Sequence, residues 1–269
     1  MLYKKYIIII ALIIIILILV INTRRREMFK INFTLSGGFP GFFKRIEIDG
    51  RILIYRIRNS SYKFELKDEN IMFLKSFIED RLKYIRGEYQ PVKGADFLKY
   101  RLSIELNGRN YTVSWVDEWA LNKSLPKEIL EIENLFKKLL EIYEVKSSYN
   151  RVAYIEKNNL VLEIYVRKLG EKIFLAALIE NLGEDIKYIS PTPCHPNILI
   201  KIDEERIFYP GYTDTPCIQV LEERVLRRGE QKITLAIWTP QKTGIYEIEA
   251  SFPFHGEKLI KIKQKIKSD

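Results

Sequence analysis

Residues 33–50 read FTLSGGFPGFFKRIEIDG, and glycines 37, 38 and 41 fall with Pro40 within five positions. Alternating apolar residues on both sides predict strands over 30–36 and 43–48. The glycines permit positive φ and allow another backbone to approach closely. Phenylalanines 39, 42 and 43 offer rigid apolar area of the kind that anchors interfaces. The stretch therefore predicts a turn between two strands that either presents a docking surface or buries Phe39 in its own core.

The sequence after this stretch predicts two hairpins and two helices. Asp49-Gly50 and Asn107-Gly108 are residue pairs that favour two-residue hairpin turns. Apolar residues at helical spacing predict the helices, the first ending near Gly87. These residues are Ile71, Leu74, Phe77, Ile78, Leu82 and Ile85, then Ile129, Ile132, Leu135, Phe136, Leu139, Leu140 and Tyr143. Residues 29–145 are thus predicted to form an α+β domain, an antiparallel sheet with two helices.

Beyond a predicted polar linker at 146–150, helical periodicity gives way to strand-like runs. They recur about every eight to twelve residues, which is typical of an all-β immunoglobulin-like sandwich. Gly244-Ile245-Tyr246 fits a tyrosine corner, and Trp238 is predicted to fill the core. Residues 151–269 are therefore assigned to this second domain.

Residues 1–28 predict a membrane anchor. Residues 7–21 are apolar without interruption, between Lys4-Lys5 and three arginines at 24–26. Extended to about residues 6–23, the segment is just long enough to cross a bilayer as a helix. A cleaved signal peptide is the alternative, but no small-x-small cleavage site follows the apolar run.

The orientation of the anchor rests on weaker signals, because lysines and arginines flank it on both sides. Cys194 and Cys217 are the two cysteines and fall in one predicted domain, so they form either a disulfide or two free thiols. Sequons begin at Asn32, Asn59, Asn110 and Asn122. Both features favour a single-pass membrane protein whose folded domains face outward.

The charge pattern argues against a nucleic-acid partner. The net charge is +9 and the isoelectric point about 9.3, but 35 carboxylates are interleaved with the basic residues. No basic cluster with aromatic interleaving and no nucleic-acid motif occurs in the sequence. The charges are interpreted as a solvated surface with ion pairs.

Residues for catalysis are sparse. The chain has two histidines, His195 and His255, and no GxSxG, P-loop or GxGxxG motif. With Cys194 and Cys217 they could supply four zinc ligands, but the spacing matches no zinc motif. The carboxylates of Asp117 and Glu118 are interpreted as solvated. We therefore expect a binding protein rather than an enzyme, with no metal and no cofactor.

Three landmarks in order resemble the emfourin family of inhibitors of thermolysin-like metalloproteases. They are Ser36-Gly37-Gly38-Phe39-Pro40-Gly41, then Gly94-Ala95-Asp96 leading to Tyr100 and Leu102, then a Pro-led terminal helix. The resemblance covers about residues 29–145. It implies an α+β fold and a protease-binding loop at residues 36–42, which are Ser36, Gly37, Gly38, Phe39, Pro40, Gly41 and Phe42.

A second, weaker resemblance covers about residues 171–252. The run Cys217 to Glu230, then Trp238 and Gly244-Ile245-Tyr246, is similar to the intracellular proteinase inhibitors that act on subtilisins. It implies an immunoglobulin-like fold.

The function expected from the sequence is a membrane-anchored, non-catalytic protease-binding protein. Its partners would be a protease, through residues 36–42, and the lipid bilayer, through residues 6–23. The alternative is a cell-surface structural module that recognises another protein or a glycan.

Overall fold

The computed structural model describes residues 29–38, 41–91, 96–121, 123–191, 197–203, 205–206, 221–253 and 256–268. Of these residues, 57% lie in strands and 19% in helices, so the fold is mostly β with several sheets. The chain divides into two compact units that interleave along the sequence. The first holds the described residues up to Leu66 and Ile78–Glu131, and the second holds Lys67–Phe77 and the residues from Ile132.

The first unit contains a sheet of seven strands, which are β1 (Phe29–Gly37), β2 (Phe42–Asp49), β3 (Ile52–Ile57), β4 (Ser60–Glu65), β5 (Arg86–Glu88), β6 (Leu98–Leu106) and β7 (Arg109–Val116). Their order in the sheet is β4-β3-β2-β1-β6-β7-β5. All neighbours are antiparallel except β5, which pairs parallel to β7. The quoted stretch therefore spans the hairpin of β1 and β2, and β1 is the central strand.

Strand alternation gives this sheet one buried face. Phe33, Tyr100 and Trp115 lie on that face and are almost fully buried. The rings of Tyr100 and Trp115 are stacked with centroids 5.4 Å apart, and Phe33 lies 6.2 Å from Trp115. Aromatic pairs at these distances add to the free energy gained by burial.

The two predicted hairpins of this sheet form, one of them shifted by a residue. Asn107 and Gly108 connect β6 and β7, with φ values of +51° and +75°. In the other hairpin Asp49 pairs with Ile52, so the turn residues are Gly50 and Arg51. Positive φ occurs at Gly50, the first turn position, where a type II′ turn needs glycine.

The α-helices are α1 (Asp68–Glu79) and α2 (Lys127–Ser148), and two short 3₁₀ helices are formed by Leu82–Tyr84 and Glu118–Ala120. The prediction that the first helix runs to Gly87 was wrong, because α1 ends at Glu79 and Gly87 lies in β5. The residues proposed as a linker also belong to regular structure. Lys146–Ser148 continue α2, and Asn150 begins the next strand.

The described strands of the second unit are β8 (Asn150–Lys157), β9 (Leu160–Leu169), β10 (Lys172–Asn181), β11 (Ile186–Pro191), β12 (Leu199–Ile202), β13 (Glu205–Arg206), β14 (Leu221–Leu226), β15 (Gln231–Trp238), β16 (Gly244–Phe252) and β17 (Ile260–Ser268). They form two four-stranded sheets, β15-β10-β9-β8 and β13-β12-β16-β17, and the ribbon β11-β14. One hydrophobic cluster takes side chains from both larger sheets, including Leu162, Leu175, Ile248 and Ile260. This arrangement is compatible with a β-sandwich.

The predicted tyrosine corner has its expected hydrogen bond. The hydroxyl of Tyr246 donates to the carbonyl oxygen of Lys242 at 2.5 Å. Trp238 is partly buried and packs against the core, with its ring edge-to-face with Tyr246 at 4.6 Å. The hydroxyl fixes the loop before β16 to that strand.

A buried carboxylate attaches the start of α1 to the rest of the second unit. Glu180 accepts hydrogen bonds from Lys67 Nζ at 2.9 Å, Asn70 Nδ2 at 2.8 Å and Gln231 Nε2 at 2.7 Å. Burial by itself would raise the pKa of Glu180. The hydrogen bonds from Lys67, Gln231 and Asn70 outweigh burial, so its pKa lies below the ordinary value of 4.5.

The variant Glu180→Gln is expected to lower the free energy of unfolding at pH 7 by about 1–3 kcal/mol, because Lys67 and Asn70 lose their anionic acceptor. A depressed pKa stabilises the fold above the unfolded-state pKa, and this contribution is lost as pH falls through the folded-state pKa. Denaturant unfolding from pH 7 to pH 3 should therefore show the two proteins converging at low pH. An equal difference at every pH would contradict this, and Glu171→Gln, an exposed turn position, is the control.

Among the described residues, none of the helices has the length and apolar composition needed to span a membrane. The predicted anchor, residues 6–23, lies outside the described part of the chain.

Candidate functional site

The predicted loop joins the two central strands of the seven-stranded sheet. Ser36 and Gly37 are the last residues of β1, and Phe42 is the first of β2. The amide of Gly41 donates to the carbonyl oxygen of Gly38 at 2.9 Å, and the amide of Gly38 donates to Phe97 O at 3.3 Å. Phe39 and Pro40 lie outside the described residues. Five of the seven predicted site residues are thus brought together at one turn.

The glycines of this loop have different roles. Gly37 pairs with Phe42 on one side and Leu98 on the other, and its φ is +105°. A Cβ there would lie 2.6 Å from the carbonyl oxygen of Phe97, closer than real Cβ contacts come. At Gly41, with φ of +76°, no described atom lies within 4 Å of such a Cβ. The sheet itself therefore requires Gly37, whereas Gly41 serves the turn.

Aromatic side chains are exposed at the same end of the sheet. The turn, the start of β6 and the residues after β7 meet there, because these strands are antiparallel. Phe42 is 38% exposed and Trp119 is 54% exposed, while Phe97 is half-buried. Lys44 Nζ lies 5.0 Å from the centroid of the Phe42 ring. We call Gly38, Gly41, Phe42, Phe97 and Trp119 the loop-end surface.

Asp117 fastens this end of the sheet, a role that its neighbours in the sequence did not predict. Its carboxylate accepts hydrogen bonds from the Leu98 amide at 2.7 Å and from the Tyr100 hydroxyl at 3.0 Å. The interpretation of Asp117 as a solvated charge was therefore wrong, whereas Glu118 is exposed. The sequence placed Asp117 directly after a predicted strand, but its hydrogen-bond partners depend on the pairing of β6 with β7.

A groove of about 390 Å³ lies along the other face of the same sheet. Ser36 and Thr34 line it from β1, and Lys99 and Arg101 line it from β6. Tyr89, Gln90 and Pro91 line it from the segment after β5. The groove begins next to the loop-end surface, so an extended partner could contact both.

Several other predicted residues fall in segments that the structure does not describe. They are Cys194, His195, Cys217, His255 and Asn122. No group of metal-binding side chains occurs among the residues that are described. The predictions for a disulfide and for the absence of a metal site therefore stay predictions.

The remaining sequons differ in accessibility. Asn32 lies in the central strand, and its Oδ1 accepts a hydrogen bond from Arg45 Nε at 2.9 Å. Asn59 and Asn110 are exposed. Asn59 lies in a turn, whereas Asn110 lies in β7.

The fold and this surface define a β-rich protein that presents glycine and aromatic residues at a sheet end. The chain matches no protein-family model and no curated protein.

Proposed function

We propose that the protein binds a protease through the loop-end surface and blocks it without catalysis. The observation that carries the proposal is the exposure of Phe42 and Trp119 beside a turn with two positive-φ glycines, Gly38 and Gly41. Exposed aromatic side chains on a rigid base favour protein contacts, because they bury large area at low entropic cost. The central strands and the hydrogen bonds of Asp117 provide that base.

The class of partner comes from the resemblance of residues 29–145 to emfourins. A thermolysin-like metalloprotease has a substrate cleft, and the turn would enter it. Glycines at 38 and 41 suit this role, because a residue without a side chain allows the close approach of another backbone. The exposed side chains of the loop-end surface would supply the contact area. The carboxylate of Asp117, at the base of this surface, accepts its two hydrogen bonds from within the sheet.

The rest of the proposed architecture supports presentation of this surface at a membrane. Residues 6–23 would anchor the chain, and the strands from Asn150 onward would form an immunoglobulin-like sandwich. The Tyr246 hydrogen bond and the core shared by two sheets favour the sandwich. The exposed sequon at Asn59 favours an outward-facing protein.

The proposal is tested by inhibition of a panel of thermolysin-like metalloproteases with the full-length chain in non-ionic detergent. A fragment 29–145 is unsuitable, because Lys67–Phe77 and the helix from Ile132 belong to the second unit. We expect Phe42→Ala and Trp119→Ala each to weaken inhibition about 30-fold, because aromatic side chains that become buried at the centre of an interface carry much of the binding free energy. The unfolding temperature should change little in Trp119→Ala and should fall by only a few degrees in Phe42→Ala, because Phe42 is 38% exposed and loses part of its packing.

Tyr154→Ala is the matched control, since Tyr154 is 48% exposed and lies in the second unit. It should leave inhibition unchanged. The proposal would be contradicted if the protein neither bound nor inhibited any of these metalloproteases at micromolar concentrations. Binding without inhibition would favour the interaction module instead.

A further inference from the structure

The second unit has a strongly basic end. The start of β8, the hairpin of β9 and β10, the loop before β16 and the end of β17 meet there. Within each sheet the register shows this, because Asn150 pairs with Val166, Leu169 with Lys172 and Gly244 with Ser268. A groove lined by residues of both sheets joins the two ends. The cations of this end are Arg167, Lys168, Lys172, Lys242, Lys265 and Lys267, all exposed. We call these six residues, with Leu169, Glu171 and Ile245, the basic end.

A groove of about 580 Å³ runs between the edge strands β8 and β17 at this end. Val152, Val166 and Ile266 form its apolar floor. Arg167, Lys168, Lys265 and Lys267 line it, and no carboxylate is present among its described lining residues. The Arg167 guanidinium lies 5.9 Å from the centroid of the Tyr149 ring, which holds this cation at the groove. The groove therefore favours an anionic ligand.

Two aliphatic side chains protrude among these cations. Leu169, at the tip of the hairpin of β9 and β10, is 59% exposed, and Ile245, at the start of β16, is 72% exposed. Ile245 is directly opposite Lys267 in the pairing of β16 and β17. Leu169 follows Lys168 and pairs with Lys172. Each exposed aliphatic residue is thus flanked by lysine.

We propose that the basic end docks on an anionic phospholipid surface. The cations meet phosphate headgroups, and Leu169 and Ile245 enter the boundary between headgroups and acyl chains. Basic residues around protruding aliphatic side chains are the combination that interfacial binding requires. An acidic peptide in the groove would satisfy the cations but would leave both aliphatic side chains in water. The proposal uses residues of the second unit and is independent of protease binding.

The test is vesicle co-sedimentation with residues 29–269, which carry every described strand and helix but lack the apolar N-terminal segment. Thermal unfolding is measured first to verify that the fold is retained. We expect binding to vesicles containing about 30% phosphatidylglycerol and little binding to pure phosphatidylcholine, with release at about 0.5 M salt. The double variant Lys265→Glu and Lys267→Glu should weaken the apparent affinity more than about tenfold.

The matched control is Lys157→Glu with Arg227→Glu, which changes the net charge equally. Lys157 pairs with Leu160, which in turn pairs with Asn181, so it lies at the opposite end of the sheet. Arg227 lies at that end too. Its carbonyl oxygen accepts a hydrogen bond from the amide of Glu230, and the carbonyl oxygen of Glu230 accepts one from the amide of Asn181. This control should change vesicle affinity less than about twofold.

The double variant Leu169→Ser and Ile245→Ser separates the insertion of the aliphatic side chains into the lipid from the attraction between charges. We expect these changes to weaken vesicle binding about tenfold while leaving binding to soluble hexaglutamate unchanged. Equal loss in the two double charge variants would overturn the proposal, as would vesicle binding that is insensitive to both serine substitutions. Tight binding to hexaglutamate without vesicle binding would assign the basic end to an acidic protein instead.

Discussion

Gly229→Ala is expected to destabilise the second unit severely, although it adds a single methyl group. A Cβ at Gly229 would lie 1.9 Å from the carbonyl oxygen of Glu69 and 2.3 Å from its carbonyl carbon. Both atoms belong to the backbone of α1, so no side-chain rotation relieves the overlap. The amide of Gly229 donates to Asn181 O at 2.6 Å, and its carbonyl oxygen accepts from Asn70 Nδ2 at 2.9 Å. These bonds hold the turn against the helix.

The expected loss is on the order of 3–5 kcal/mol in the free energy of unfolding, measured by chemical denaturation. Gly256→Ala is the control, because its φ of +77° matches the +76° of Gly229 and no described atom lies within 4 Å. Gly256→Ala should lower the free energy of unfolding by only about 1–2 kcal/mol, the cost of placing alanine in left-handed backbone. Equal losses in the two variants would show that the contact with α1 does not hold in solution.

Gly37→Ala is the second large effect, and it concerns the loop-end surface. The added methyl would meet Phe97 O at 2.6 Å, and the φ of +105° is itself strained for alanine. Since β1 is held between β2 and β6, moving it away breaks pairing on both sides. We expect a loss of about 3–4 kcal/mol in the free energy of unfolding.

Gly41→Ala is the matched change in the same turn, with φ of +76° and no described atom within 4 Å. It should cost about 1–2 kcal/mol from backbone strain. If the turn docks in a protease cleft, Gly41→Ala should reduce inhibition beyond its effect on stability. Full inhibition by Gly41→Ala would show that Gly41 lies outside the contact with the protease. A Gly37→Ala protein as stable as the parent would show that β1 has room to move.

Much of the local structure follows from short-range sequence. Asn107-Gly108 and Asn158-Asn159 form two-residue turns with positive φ, because asparagine and glycine tolerate left-handed backbone. The stripe of α2 is buried at Ile129, Ile132 and Phe136, as helical spacing predicts. The mostly β character of the chain after α2 was predicted from strand-like runs that recur at regular spacing.

The candidate site was only partly predictable. The glycines and Phe42 were identified from the residue types of the loop, which turns and interface anchors use, and from the resemblance to emfourins. Phe97 and Trp119, which belong to the same surface, and Asp117, which fastens it, were missed. Their place depends on the pairing of β6 with β7, which brings Asp117 next to Leu98. Such a contact is not encoded in the residues on either side of Asp117.

The sequence by itself determined most of the turns, the main strands and helices and the side chains that face a core, although it misplaced the end of α1 and the linker. These choices depend on backbone dihedral preferences and on side-chain periodicity, both of which act over a few residues. The tertiary structure decided why Gly37 and Gly229 must be glycine, and which partner each buried carboxylate has. Glu180 meets Asn70 and Gly229 meets Glu69 across more than a hundred residues of chain. Contacts at that sequence separation form only when packing brings the elements together, so no local sequence pattern predicts them.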